Sequence, residues 1–181
     1  MTDLVNAEIE GVDGQRRRLT RAEVLTYAGT VVGAGNETTT RLLGFAGQLL
    51  SDHPDQRRAL AADFSLIPNA VEEVLRYEAP SQYQVRTTTR DVTLHGTTIP
   101  AGSVVLLLTA SATRDERMFP DPDRLDIDRE RKMGFNLAFW YGVHSCLGAA
   151  LARMESRIAL NALLDILPEY EVDRSGLKRV A

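Results

Sequence analysis

Phe139-Trp140-Tyr141-Gly142-Val143-His144-Ser145-Cys146-Leu147-Gly148 decides how this chain is read. It holds the only cysteine of 181 residues, just ahead of a segment with helical periodicity, Leu147 to about Leu167. The N-terminus of a helix carries unpaired N–H groups and about half a positive charge. Both stabilise a thiolate placed there. Gly142 and Gly148 let the backbone turn tightly on either side. From local features alone, Cys146 reads as a nucleophile, a metal ligand or an inert buried thiol. One cysteine excludes an internal disulfide and a four-cysteine zinc site.

Working outward, the next unusual stretch lies far upstream. Thr20-Arg21-Ala22-Glu23 fits a capping box, and no proline follows until Pro54. One helix from there to about Ser51 is expected, roughly 30 residues and about 45 Å long. Its middle reads Gly33-Ala34-Gly35-Asn36-Glu37-Thr38-Thr39-Thr40. Interior glycine costs about 1 kcal/mol relative to alanine. Such a helix either packs closely on a neighbour or kinks, freeing carbonyls that a threonine hydroxyl can satisfy. Two shorter helices follow, from Pro54 and from Pro68 to Glu78. The second contains Glu73-Val74-Leu75-Arg76, an i, i+3 ion pair that on its own reads as a surface pair. Glu72 and Glu73 diverge by about 100° around it, so they make a poor catalytic carboxylate pair.

Residues 83–108 are rich in Thr, Val and Ile, with turn signals at His95-Gly96 and Pro100-Ala101-Gly102. Short antiparallel strands are expected, with Arg86 at the start of one. Residues 113–138 have no helical period, and long ordered loops are usually functional. A strand is expected near Tyr170–Val172, a short helix over 3–10, and a solvated corner at Arg16-Arg17-Arg18. The fold class is mainly α with a small antiparallel β region.

The composition bounds the partners. Lys and Arg number 21 against 25 Asp and Glu, a formal charge of −4, which argues against a general nucleic-acid binder. The longest apolar runs, Ala28–Ala34 and Val104–Leu108, fall far short of the roughly 20 residues a membrane span needs. The first ten residues fit neither a signal nor a transit peptide, and the cytoplasm is the expected location.

Taken together, these stretches resemble the cytochrome P450 family, in the C-terminal part of its soluble bacterial members. Phe139, Gly142, His144, Cys146 and Gly148 match the haem-binding signature. Ala34-Gly35-Asn36-Glu37-Thr38-Thr39 matches the central-helix motif. Glu73 with Arg76 matches Glu-x-x-Arg, and Phe119-Pro120-Asp121-Pro122-Asp123-Arg124-Leu125 matches the segment after it. The resemblance implies a single partial domain over residues 1–181: long central helix, irregular segment, cysteine loop and final long helix. The chain reads as N-terminally truncated.

It also implies haem b (iron protoporphyrin IX) with Cys146 as the axial iron ligand, and O2 as co-substrate. Electrons are expected from a ferredoxin-type or other small electron-transfer protein, with NAD(P)H acting only through that partner. The docking face is expected near Arg129–Lys132. Thr38, with Glu37, is implied to guide protons to dioxygen, while Ala34 and Gly35 keep side chains clear of it. Arg86 and His144 match haem propionate partners, and Phe139 packs near the sulfur. Glu73, Arg76 and Arg124 are implied to form a buried structural network. The activity implied is monooxygenation of a small organic substrate. Two other readings are a catalytically inactive haem-binding fragment and, more remotely, a cysteine hydrolase using Cys146 with His144. Trp140 and Leu125 depart from the family pattern: Trp140 stands where a small residue is usual, Leu125 where an aromatic is.

Overall fold

The computed structural model describes residues 2–11, 13–131 and 136–176. The chain divides into two compact units, Met1–Thr38 and Thr39–Ala181.

In the first unit a short helix α1 (Thr2–Asn6) leads into an antiparallel hairpin of β1 (Glu8–Glu10) and β2 (Arg16–Arg18). The helix expected over 3–10 therefore stops at Asn6. The register explains both the hairpin and the arginine run. Glu8 lies opposite Arg18 and Glu10 opposite Arg16, and opposite charges across a ladder favour pairing. Arg17 reaches on to Glu23 at 2.7 Å. The capping box forms as expected: the Glu23 N–H donates to Thr20 Oγ1 (3.3 Å), and the Glu23 carboxylate accepts from the Thr20 N–H (2.8 Å). The Arg17 guanidinium, then the Thr20 donors, hold the Glu23 carboxyl down at about 2.

Helix α2 (Arg21–Asp52) is one continuous helix. Of the two accounts of its glycine-rich middle, the threonine–carbonyl bond is present and no neighbour packs on the glycines among the described residues. A Cβ added at Gly33 or Gly35 would meet nothing within 4 Å among the described residues. The helix is continuous through Gly33–Thr40, and threonine hydroxyls bond back within it. Thr38 Oγ1 donates to the Ala34 carbonyl (2.7 Å), as Thr30 Oγ1 does to Thr26 (2.8 Å).

The second unit holds the core. Leu42, Ala46, Leu49 and Leu50 of α2 pack with Leu60 of α3 (Pro54–Ala62) and five apolar residues of α4 (Ile67–Tyr77). Leu160 and Leu164 of α6 (Ala149–Ile166), together with Leu125, Ile127 and Phe139, complete it. Leu125, in place of an aromatic, is fully enclosed. The β region is two separate antiparallel pairs, β3 (Gln84–Thr87) with β6 (Val104–Leu107) and β4 (Val92–Leu94) with β5 (Thr97–Ile99). His95 and Gly96 turn the second pair at φ 48° and 80°, as a two-residue hairpin with both central residues at positive φ requires. A short helix α5 (Thr109–Ala112) follows β6.

The expected strand at Tyr170–Val172 does not form. These residues lie along the end of α2 instead. Tyr170 Oη donates to the Gly47 carbonyl (3.0 Å), and the Val172 N–H to Ser51 Oγ (2.9 Å). No helix among the described residues is long and apolar enough to cross a membrane.

Candidate functional site

The cysteine loop begins with a 3-10 turn, Leu137–Phe139, capped by the Asn136 side chain, which accepts from the Ala138 N–H (3.0 Å). A second 3-10 turn, Gly142–His144, follows at once, with Gly142 at φ 70°. This is one place where glycine's freedom is required. The loop closes on itself where the Cys146 N–H donates to the Phe139 carbonyl (2.8 Å). Phe139 is thus both a core side chain and the acceptor for the cysteine backbone. Gly148 caps α6, and a Cβ there would stand 3.9 Å from Cys146 Sγ, an ordinary contact.

Cys146 is exposed, and so is His144. Among the described residues no hydrogen bond joins them, and the pairing a cysteine hydrolase needs is not formed. Val143 and Leu147 flank the thiol at 97% and 83% exposure. A soft sulfur donor set among uncovered apolar side chains suits an iron-bearing apolar macrocycle. Among the described residues no group of three or more His, Cys, Asp or Glu is placed to hold a metal ion. The exposed single thiol and its uncovered apolar neighbours fit a haem held through one thiolate.

Trp140 adopts φ 65° and ψ −175°, a region populated almost only by glycine. That is the cost of an indole where a small residue is usual. The Arg86 guanidinium lies over its ring, 5.5 Å from the centroid, and donates to the Val85 carbonyl (2.8 Å). The indole Nε1–H is buried with no acceptor among the described residues. Arg86 is thus brought to the cysteine loop through Trp140, a link that the sequence reading lacked.

The Glu73–Arg76 pair is buried on both sides at 4% exposure, not a surface pair. Arg76 makes two 2.8 Å bonds to the Glu73 carboxylate and also donates to the carbonyls of Thr113 (3.3 Å), Pro122 (2.7 Å) and Arg124 (3.1 Å). The third guanidinium is not that of Arg124, whose side chain is exposed and which contributes its carbonyl. Arg129 fills the role, donating to Glu73 at 3.1 Å and to the carbonyls of Pro120, Asp121 and Arg124. Arg129 is consequently committed to the interior of this segment rather than to the expected docking face, and Lys132 lies outside the described residues.

Glu72, half of a poor catalytic pair by its helical spacing, is equally buried. It accepts from Arg153 Nε (2.5 Å) and from Asn136 Nδ2 (3.2 Å). A second buried acid on α4 requires its own cation, and Arg153 at the start of α6 was the available signal. Ala34, Gly35, Glu37 and Thr38 belong to the first unit, on the exposed part of α2.

The cytochrome P450 family profile matches residues 1–173. Cytochrome P450 130 of Mycobacterium tuberculosis is 51% identical over 154 residues, which make up 85% of this chain and 38% of that protein. Among solved structures, cytochrome P450 CYP109Q5 from Chondromyces apiculatus is 52% identical with a TM-score of 0.82, covering 90% of this chain and 40% of that one. A mutant of P450 EryK in complex with erythromycin B is 40% identical with a TM-score of 0.89, covering 96% and 43%. The chain belongs to the cytochrome P450 family and has the corresponding part of its fold. It spans 38–42% of the length of the curated relatives compared.

Proposed function

We propose that residues 1–181 form the haem-binding portion of a cytoplasmic haem-thiolate monooxygenase acting on a small organic substrate. The observation that carries this is the cysteine loop: an exposed thiol, fixed by its own backbone N–H on Phe139, among uncovered apolar side chains. Haem b, when bound through Cys146, supplies iron for O2 activation, the thiolate pushing electron density to favour O–O cleavage. Every other role falls to the chain. Arg86 and His144 offer cationic or N–H donors to the haem carboxylates. Gly142 and Gly148 shape the loop, and Phe139 packs beside it. Thr38 and Glu37 hold and pass protons, with Ala34 and Gly35 leaving room beside them. A ferredoxin-type protein or similar carrier delivers electrons, drawn ultimately from NAD(P)H. The reading of an inactive haem-binding fragment shares the thiolate and differs in lacking turnover.

The test is the reduced, carbon-monoxide-bound absorption spectrum of the haem-supplied protein. The native chain is expected to give the strongly red-shifted band of thiolate ligation, and Cys146→Ser to lose it. Identical spectra from the two would refute the assignment.

A further inference from the structure

We propose that Glu72 is a positioning residue for the cysteine loop, separate in task from its neighbour Glu73. The two carboxylates point about 100° apart on α4, and each anchors a different segment. Glu73 gathers Arg76, Arg129 and the Asp126 N–H (3.0 Å), all of the irregular segment or α4 itself. Glu72 gathers the loop. Its carboxylate accepts from Arg153 Nε (2.5 Å) and Nη2 (3.3 Å), with the half-exposed Arg131 at 3.8 Å. Asn136 Nδ2 bridges its carboxylate (3.2 Å) and its backbone carbonyl (3.0 Å).

Asn136 is where this becomes consequential. While its amide N–H groups are held by Glu72, its Oδ1 faces the opposite way and caps the Leu137–Phe139 turn at Ala138. The carbonyl at the end of that turn receives the Cys146 N–H. Arg153, fixed by the same carboxylate, lies over the Phe139 ring at 4.4 Å. Two routes therefore run from Glu72 to Phe139, one through the Asn136 amide and one through the Arg153 guanidinium. Phe139 in turn holds the backbone of the cysteine. A charged acceptor strengthens each link, and burial makes leaving any of them unpaired costly.

The test uses Glu72→Ala, Asn136→Ala and, as a control of comparable burial away from the loop, Arg57→Ala. Arg57 is a 4%-exposed guanidinium that bonds Glu169 and the carbonyls of Leu50, Pro168 and Tyr170. Amide hydrogen exchange is read at Ala138 and Cys146 at matched distance from each variant's unfolding midpoint. Glu72→Ala and Asn136→Ala are expected to speed exchange at both amides by about tenfold relative to Arg57→Ala. Their double variant should be little faster than Glu72→Ala alone, since the Asn136 route is one of the two that Glu72 holds. Asn136→Ala carries the test if Glu72→Ala does not fold. Equal exchange in loop variants and control, or full additivity, would overturn the proposal. In the haem-loaded protein, Glu72→Ala should convert the thiolate-type band to the thiol-type band several-fold faster, with Glu72→Gln intermediate. This inference rests on the haem-thiolate reading only for that spectroscopic readout. A native protein without the thiolate band would overturn that reading while the exchange result stands by itself.

Discussion

Trp140 offers a measurement whose sign, not only its size, tests the geometry. At φ 65° and ψ −175° its backbone lies in a region that costs a residue with a Cβ about 1–3 kcal/mol. Replacing it by alanine keeps that cost and loses the ring. Replacing it by glycine loses the same ring and removes the cost. Both variants delete the contact with Arg86 and the unsatisfied indole N–H, so their difference isolates the backbone term. Glycine's extra freedom in the unfolded chain works the other way. At ordinary positions it makes glycine less stable than alanine by about 0.5–1 kcal/mol. Here the order should invert, with Trp140→Gly above Trp140→Ala by up to about 2.5 kcal/mol. For a chain of this size each 1 kcal/mol moves the midpoint by about 2–4 °C. Thermal unfolding of the two variants side by side should thus place glycine above alanine, by up to about 10 °C. Alanine melting at or above glycine would mean that the loop does not hold residue 140 in the left-handed half of backbone space, and the account of the Arg86 link would fall with it.

Removing Glu73 by alanine should cost about 3–5 kcal/mol, because it strands the Arg76 and Arg129 guanidinium groups in a buried site; a loss below about 1 kcal/mol in denaturant unfolding would return the pair to the surface. The start of α2 should weaken with acid. The Glu23 carboxyl is lowered from 4.5 to about 2, so its contribution is complete above 4.5 and disappears as pH falls toward 2. Exchange at the Glu23 amide should therefore accelerate across that window in the native chain and stay flat, after correction for intrinsic rates, in Glu23→Gln. Thr38→Val removes the hydroxyl bonded to the Ala34 carbonyl at an exposed position, so stability should move by no more than about 0.5 kcal/mol. In a haem-loaded protein with a complete substrate pocket, the same change should divert oxygen consumption from product, and equal coupling would remove the role assigned to Thr38.

Local signals carried far in this chain where a short motif fixes its own geometry. Thr20 with Glu23 announced the start of α2, and the reciprocal bonds are there. His95-Gly96 announced a tight hairpin, and both residues take positive φ. Signals that depend on a distant partner did not carry as well. The Tyr170–Val172 stretch has strand-like side chains but no strand beside it among the described residues, and its polar groups bond to the end of α2 instead. Arg124 and Arg129 are chemically the same. Which one supplies a guanidinium to Glu73 and which a carbonyl to Arg76 follows from the path of an irregular segment that no periodicity describes. By sequence alone the acid–arginine run on either side of the first turn reads as helix and corner. Only the register, which sets Glu8 against Arg18 and Glu10 against Arg16, turns it into a hairpin.

The same division explains why the cysteine loop was legible as a motif but not as a construction. Its signature residues are close in sequence, and they announce the thiol and the turns that present it. What fixes those turns comes from elsewhere: Glu72 on α4, Arg153 on α6 and Arg86 on β3. Each is a lone charged residue that local reading assigns to the surface, because a single sequence does not reveal that both acids of α4 are buried. Once they are, electrostatics leaves little choice. A buried carboxylate must be matched by cations or N–H donors, and here the donors come from the cysteine loop, α6 and the irregular segment. The unlike fates of Glu72 and Glu73 follow from a single helical step of rotation. That step places one carboxylate toward the cysteine loop and the other toward the irregular segment, so α4 ties both to the core with adjacent residues.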